Sequence, residues 1–402
     1  MLLSPATKLT AVLCSASALT GPRRQALAFA FQKSSNNDAL LYRRPAAAHY
    51  LLSRSQQHTC THRNMSTSAS TSASTDTTSS SPQEQVPYRV ALLQFPVSHS
   101  KETNIQTATD YINEAASKGA KLIVLPEIWN GPYATAAFPE YAEILPSIGD
   151  DLSAMDDIDK SEQQKQCPSF DLLRRKAMEH NMYIVGGSIA ENEDDKIYNT
   201  CMCIGPNGEL LAKHRKVHLF DIDVPGGIRF KESDTLTGGS TVSVFDAGEP
   251  FGKIGVGICY DIRFPELAMC MIQRGCRMLI YPGAFNLTTG PAHWELLQRG
   301  RAVDGQCFVL TASPARVEAP ASASAEDDKD GNSDSSSKYP HYTAWGHSTV
   351  VSPWGEVLAK CDEKPGIVVC DLEMGKVEEM RQGIPTGNQK RGDLYTFEDR
   401  TA

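Results

Sequence analysis

The sequence predicts one α/β domain in which mixed sheets lie buried under helices. A strand, a helix and a strand follow one another at residues 88–94, 104–118 and 121–125, and this order opens an α/β unit. The alternation returns between residues 253 and 313. An Asn-Gly pair at 207–208 separates two apolar runs, which is the strongest short-range signal for a hairpin. Elements that alternate in this way place sheets beneath covering helices.

The other elements follow from apolar periodicity and from turn residues. Gly119 ends the first helix, and Pro126-Glu127 ends the strand after it. The acidic, weakly patterned stretch 146–168 predicts a surface loop with short helical pieces, and the Ser/Asp/Ala-rich stretch 317–338 predicts a flexible acidic insertion. The remaining predictions are strands at 183–189, 199–204, 210–214, 278–281, 307–313, 348–352, 356–360 and 366–371, and helices at 170–180, 265–274, 293–304 and 373–382. The domain is predicted to span residues 86–398.

Residues 1–80 differ in composition from the rest of the chain. They are rich in Ser, Thr and Ala and hold eight Lys/Arg against two acids. Arg-rich, Ser-rich and acid-poor composition is typical of an organelle transit peptide, and the Ser/Thr tract 66–81 cannot bury a core. We therefore predict a transit peptide and a disordered linker over residues 1–85, and a mitochondrial location. A plastid location, an untargeted tail and a cytosolic form begun at Met65 stay open.

The remaining residues are acidic and contain scattered cysteines. They hold 31 basic and 46 acidic residues, a formal charge near −15. Such a body is a poor partner for nucleic acid or an anionic membrane, and no apolar run reaches the roughly 18 residues needed to span a bilayer. Nine cysteines follow residue 80, with no CxxC pair and no Cys/His cluster at zinc spacing. This usage predicts free thiols in a reducing compartment.

Cys259 lies between an apolar strand and a helix that opens at Pro265. At such an elbow a sulfur can face a pocket, and nearby amide N–H groups can receive a developing negative charge. A lone intracellular cysteine is more often a small buried hydrophobe. The chemistry predicted for Cys259 therefore depends on the partners that the rest of the chain supplies.

Three ionisable residues are candidate partners, because a thiol attacks as thiolate and needs a base or a positive neighbour. Glu127 ends an apolar strand, Lys216 lies in a run too apolar for an ordinary solvated lysine, and Glu232 is the weakest candidate alone. Together, a carboxylate would pass the thiol proton to a departing amine while an ammonium stabilises the oxyanion. His293 and His347 stay open as bases of a Cys–His pair.

Three blocks in chain order resemble the Glu, Lys and Cys blocks of the nitrilase superfamily of carbon–nitrogen hydrolases. They are Leu125-Pro-Glu127, His214-Arg-Lys216 and Gly257-Ile-Cys-Tyr-Asp261. The resemblance covers about residues 88–395. Longer blocks at 218–225, 281–299, 311–316 and 345–351 resemble the ω-amidase branch of this superfamily.

The resemblance implies a four-layer αββα sandwich that forms a homodimer by stacking sheets, without a metal or organic cofactor. It implies hydrolysis of linear amides, the terminal amides of 2-oxoglutaramate and 2-oxosuccinamate, to ammonia and a 2-oxo dicarboxylate through a cysteine thioester. Cys259 would be the nucleophile, Glu127 the general base and acid, and Glu232 a positioning acid. Lys216 and the backbone N–H of Tyr260 would hold the oxyanion.

The implied substrate carries a carboxylate next to a ketone, so its pocket needs a cationic or hydroxyl-bearing wall. Arg263, four residues after the nucleophile, is the predicted partner of this carboxylate, and an ion pair with Glu266 or another acid is the alternative. Tyr133, Phe285 and Thr289 follow strand ends and are predicted to shape the pocket.

Other functions stay open. Another branch of the superfamily, such as a deaminated-glutathione amidase, a nitrilase or a carbamoylase, is the nearest alternative. A catalytically silent scaffold is less compatible with intact Glu127, Lys216 and Cys259, and an acidic binding module explains none of the blocks. Stretches 146–168 and 317–338 exceed the usual ω-amidase pattern, which leaves substrate access and assembly open.

Overall fold

The strands and helices of this chain were located in a computed structural model that describes residues 88–156, 166–223, 229–317 and 338–401. The predicted transit peptide and linker, 1–85, lie outside the described residues, as does the acidic insertion except for its two end residues. Within the described ranges, no helix has the length and apolar character that a membrane crossing requires.

The secondary structure agrees with most of the predicted elements. The strands are β1 Tyr88–Gln94, β2 Leu122–Val124, β3 Tyr183–Val185, β4 Ile189–Glu193, β5 Lys196–Ile204, β6 Leu210–Arg215, β7 Asp221–Asp223, β8 Arg229–Lys231, β9 Ser243–Asp246, β10 Lys253–Val256, β11 Met278–Pro282, β12 Phe308–Ala312, β13 Thr349–Val351, β14 Val357–Lys360 and β15 Gly366–Leu372. The helices are α1 Lys101–Ser117, α2 Phe138–Tyr141, α3 Pro168–His180, α4 Pro265–Gln273, α5 Gly290–Gly305 and α6 Gly375–Gly383.

One predicted strand is wrong. The apolar run 183–189 divides into β3 and β4, because Gly187 takes a φ of +62° that ends the first strand. A Cβ atom at Gly187 would lie 2.1 Å from the carbonyl oxygen of Pro126. Glycine is therefore required where this turn approaches the backbone next to Glu127.

Two large sheets form the body of the domain. The first has the order β15-β1-β2-β3-β5-β4, with β6 also paired to β5, and the second has the order β14-β13-β12-β11-β10-β9. Parallel pairs form the centre of each sheet: Val90 pairs with Leu122 in the first, and Ile254 pairs with Met278 in the second. Antiparallel strands complete both sheets, and β7 and β8 form a separate ribbon.

Alternation along the strands produces four layers. Val90 and Leu92 of β1 pack into a core shared with the second sheet, whereas Ala91 and Leu93 pack into a separate core under α1 and α3. Successive strand side chains point to opposite faces, so each sheet buries both of its faces. Helices α4 and α5 cover the outer face of the second sheet. The αββα sandwich is thus confirmed.

Candidate active site

Cys259 begins a short 3-10 turn, Cys259–Arg263, that separates β10 from α4. Its φ is +47°, an uncommon conformation for a residue with a side chain. Gly257 precedes it where a Cβ atom would come within 2.6 Å of the Tyr281 ring. Strained backbone of this kind persists where surrounding contacts hold it, and it is concentrated at functional sites. The elbow predicted at Cys259 is therefore present and buried, with 5% of the residue exposed.

The structure brings Glu127, Lys216 and Glu232 together beneath this elbow. Glu127 follows β2, Lys216 follows β6, and Glu232 begins a 3-10 turn after β8. Lys216 Nζ lies 3.0 Å from Glu127 Oε1 and 3.0 Å from Glu232 Oε1, and all three side chains are fully buried. One ammonium thus holds two carboxylates whose positions are far apart in the sequence.

The surroundings shift the pKa values of the thiol and the ammonium in the same direction. Burial and the neighbouring Glu127 carboxylate raise the pKa of Cys259 well above its usual range, although Lys216 lowers it. Burial alone would lower the pKa of Lys216, but Glu127 and Glu232 raise it well above its usual range. The resting site therefore holds a neutral thiol and a charged ammonium, and the thiol needs a base when it attacks.

Tyr133 joins the two carboxylates. Its hydroxyl donates to Glu232 Oε1 at 2.8 Å and lies 3.4 Å from Glu127 Oε1. Backbone N–H groups bind the other oxygens, with Ala284 N at 2.8 Å from Glu127 Oε2 and Phe220 N at 2.7 Å from Glu232 Oε2. Burial raises the pKa of Tyr133 well above its usual range, so the hydroxyl stays a donor. Tyr133, which was predicted to shape the pocket, therefore also contacts the two carboxylates that surround Lys216.

Sequence reasoning missed the role of Asp261, although it lies in the cysteine block. Its buried carboxylate lies 3.0 Å from His214 Nε2 and 2.8 Å from His218 Nδ1, and it accepts the Ile258 N–H at 2.9 Å. The two histidines flank Lys216, whereas Ile258 precedes the nucleophile. Asp261 therefore ties the segment that carries Lys216 to the turn that carries Cys259.

Replacing Asp261 with asparagine is expected to lower the free energy of unfolding by about 3 kcal/mol at pH 7. Burial alone would raise the pKa of Asp261, but hydrogen bonds from His214, His218 and Ile258 bring it below its usual range. Its stabilisation is thus present above about pH 4 and is lost as the pH falls towards the folded-state pKa. Urea titrations of wild type and Asp261→Asn at pH 7 and pH 3 measure this difference; a difference independent of pH would contradict the prediction.

Arg263 lies beside the nucleophile without a carboxylate partner. Within the described residues it forms no ion pair, so the alternative pairing with Glu266 is wrong. Its guanidinium lies 4.9 Å from the centre of the Phe285 ring, and its Nη1 is 3.2 Å from His293 Nδ1. Burial lowers the pKa of Arg263, but guanidinium groups stay charged in proteins. Among the residues that the structure describes, this cation at the site therefore has no acidic partner.

The other predicted residues have defined surroundings. Phe285 is buried against Trp294, with 4.9 Å between ring centres. The Thr289 hydroxyl donates to Asn286 Oδ1 at 3.0 Å, a hydrogen bond within the loop that precedes α5. Tyr260 is the second residue of the 3-10 turn, where its N–H has no partner within the helix. The His347 ring packs obliquely against Trp345, with 4.3 Å between ring centres.

A cavity of about 50 Å³ lies against Glu127. Tyr133, Ala284 and Tyr342 are among the residues that line it. Sequence reasoning missed Tyr342, which follows the predicted acidic insertion and whose ring centre lies 4.5 Å from that of Tyr133. Its hydroxyl donates to the carbonyl of Ala284. Across the described ranges, no group of His, Cys, Asp and Glu side chains is arranged to hold a metal ion.

Residues 89–382 match the sequence model of a family described as carbon-nitrogen hydrolase, and this range contains Glu127, Lys216, Glu232 and Cys259. The proteins named omega-amidase NIT2 from Homo sapiens and Bos taurus are each 50% identical to the chain over 311 residues, which are 77% of this chain and 98% of theirs. The crystal structure of Saccharomyces cerevisiae Nit3, a member of branch 10 of the nitrilase superfamily, is similar with a TM-score of 0.61 and 37% identity. It covers 76% of this chain and 97% of that one.

Proposed function

Since the chain belongs to the carbon–nitrogen hydrolase family, and is a hydrolase of amide carbon–nitrogen bonds, we propose that it is an ω-amidase. Its substrates are the terminal amides of 2-oxoglutaramate and 2-oxosuccinamate, and its products are ammonia and a 2-oxo dicarboxylate. The observation that carries this choice within the family is Arg263, a guanidinium beside Cys259 that forms no ion pair with the described residues. An amide whose far end is a carboxylate complements that cation.

In the first half of the reaction, Glu127 takes the Cys259 proton while the sulfur attacks the amide carbon. The oxyanion that forms binds Lys216 Nζ and the Tyr260 N–H, and Glu232 holds Lys216 in place. Glu127 then gives the proton to the leaving nitrogen, the carbon–nitrogen bond breaks, and ammonia leaves a thioester on Cys259. The raised pKa of Lys216 supports its use as a fixed cation rather than as a base.

In the second half, water replaces ammonia. Glu127 takes a proton from a water molecule, whose oxygen attacks the thioester carbon. The oxyanion binds the same two donors, the carbon–sulfur bond breaks, and the proton on Glu127 returns to the sulfur. One amide and one water thus yield one carboxylic acid and one ammonia, and the site returns to its resting charges.

Hydrolysis of a substrate panel tests the assignment, measured as ammonia release or, for deaminated glutathione, as release of its dipeptide amine. Purified full-length protein is expected to prefer 2-oxoglutaramate and succinamate over a nitrile, an N-carbamoyl amino acid and deaminated glutathione. Equal or faster hydrolysis of the last three would reject the ω-amidase assignment and leave the Cys–Glu–Lys chemistry in place.

Replacing Arg263 with glutamine is expected to raise KM for succinamate by about 10- to 100-fold, the loss expected for one charge-assisted bidentate contact. The rate on butyramide, which lacks the far carboxylate, should change less than about threefold. Arg301→Gln, a second arginine whose Nε donates to the Ile262 carbonyl nearby, is the matched control and should not discriminate between the two amides. Equal effects of Arg263→Gln on both substrates would contradict the assignment.

We also propose that the protein is a homodimer. Leu296 and Val303 of α5 and Trp354 of the β13–β14 hairpin are exposed large apolar residues, and Gly355 of that hairpin adjoins Val303. An apolar face of this kind supports burial against a second copy. Light scattering of the purified protein measures the mass in solution, and a monomer at micromolar concentration would reject the proposal.

For the location in the cell, we propose import into mitochondria through residues 1–85. The arginine-rich, acid-poor composition of this segment supports the proposal. A fluorescent fusion of residues 1–85 is expected to enter mitochondria, and a plastid or wholly cytosolic signal would reject it.

A further inference from the structure

Asn199 is a fully buried polar residue of β5 with an incomplete set of hydrogen bonds. Its Oδ1 has no hydrogen-bond partner among the described residues, whereas its Nδ2 donates to Glu127 Oε1 at 3.0 Å. Its backbone carbonyl accepts the Lys216 N–H at 2.8 Å. A buried polar atom without a hydrogen-bond partner lowers the stability of a fold. Such an atom in a native structure therefore indicates that its residue has a role other than stabilisation.

The contacts of Glu127 supply such a reason. Oε1 lies 3.0 Å from Lys216 Nζ, 3.0 Å from Asn199 Nδ2 and 3.4 Å from the Tyr133 hydroxyl. Oε2 accepts a hydrogen bond from Ala284 N at 2.8 Å. Each carboxylate oxygen offers about two lone-pair positions. The donors on Oε1 therefore fill it, whereas these contacts leave one position on Oε2 open.

We propose that Asn199 is a positioning residue that keeps Glu127 Oε1 occupied and reserves Oε2 as the oxygen that carries the catalytic proton. The Cys259 S–H bond breaks as an O–H bond forms at Oε2, and the same proton then moves to the leaving nitrogen. Asn199 touches neither substrate nor sulfur in this role. The proposal rests on the proposed function for its substrate, but the proton step is common to any amide that the site hydrolyses.

The charge balance around Glu127 sets the direction of the expected pH effect. Among the described residues, the ionisable groups that surround it are Lys216, Glu232, Tyr133, Cys259 and Tyr342. A hydrogen bond donated to a carboxylate favours its ionised form. Removing the Asn199 donor therefore makes Glu127 easier to protonate, and the catalytic base is lost at a higher pH.

The test compares Asn199→Leu with wild type and with Thr200→Val. Leucine has the same number and branching of side-chain heavy atoms as asparagine, and it removes the donor together with the unpartnered Oδ1. Asn199→Leu is expected to lower kcat by about 10- to 100-fold, with KM within about threefold of wild type. The acidic limb of its rate profile should move to higher pH. Its Tm should equal or exceed that of wild type. Thr200, the next buried residue of β5, donates to Glu191 instead, so Thr200→Val should leave the pH profile unchanged.

A second variant and a second readout separate this proposal from the substrate assignment. Asn199→Asp places a like charge beside Glu127, so its acidic limb should move further than that of Asn199→Leu. Alkylation of Cys259 by iodoacetamide, followed by peptide mass spectrometry across pH, reports proton transfer to Glu127 without any 2-oxo amide. An unshifted acidic limb for Asn199→Leu in both readouts would overturn the proposal, as would a lower kcat that accompanies only a lower Tm. Failure to hydrolyse 2-oxo amides with a shifted alkylation profile would reject the substrate alone.

Discussion

Replacing Cys259 with alanine is expected to lower kcat for amide hydrolysis by at least about 10⁴-fold, because no thioester forms without the sulfur. Cys259 is the residue at the φ of +47° beside Glu127, and burial together with that carboxylate raises its thiol pKa. Alanine occupies the same backbone conformation with a smaller side chain, so Tm should change little. Ammonia release gives the rate, and mass spectrometry of the quenched wild-type protein should detect an acyl adduct on Cys259.

The matched control is another thiol of the same region. Cys270 lies on α4 at a partly exposed position, where its charged neighbours are Asp399 and Arg274. Cys270→Ala should retain wild-type kcat within about twofold, as expected for a surface substitution. Ammonia release that survives Cys259→Ala, or an acyl adduct on another cysteine, would remove the nucleophile from the mechanism.

Replacing Lys216 with methionine is expected to remove activity and to lower the free energy of unfolding by about 3–5 kcal/mol. The reason is that Glu127 and Glu232 would remain fully buried around a neutral side chain. The oxyanion would also lose the charge of Lys216, and this loss alone lowers kcat by about 10²–10³-fold. Urea denaturation at pH 7 measures the stability, and ammonia release measures kcat.

A double variant separates the two effects of Lys216. In Lys216→Met/Glu232→Gln one of the buried negative charges is neutralised, so part of the lost stability should return. Activity should stay absent, since the oxyanion still has no cation. A single Lys216→Met protein as stable as wild type would mean that the two carboxylates do not depend on Lys216 for their burial.

Much of the architecture could be predicted because it follows from local patterns. Apolar runs marked most strands, and Pro265 marked the start of α4 where the structure has it. The strand predicted at 183–189 is wrong, because the apolar composition of this run does not indicate that Gly187 turns the chain beside Pro126. That constraint comes from the segment that follows β2 rather than from the run itself.

The sequence by itself determined which side chains are available for chemistry. Glu127 and Lys216 follow strands of the first sheet, and Cys259 follows a strand of the second. Their residue types define a base, a cation and a nucleophile before any distance is known. The same blocks supported the nitrilase-type fold, which the structure confirms.

Only the tertiary structure decided how these groups are held and which partners they lack. Two of these arrangements join side chains from separate elements: Asn199 contacts Glu127, and Asp261 contacts His214 and His218. The third is that Arg263 has no acid beside it in the described chain. Periodicity reports the face on which a side chain lies but not the atom that it meets. Hydrogen bonding and desolvation depend on that atom within about 3 Å, so the charge states and the proton route emerge only when the sheets have packed together.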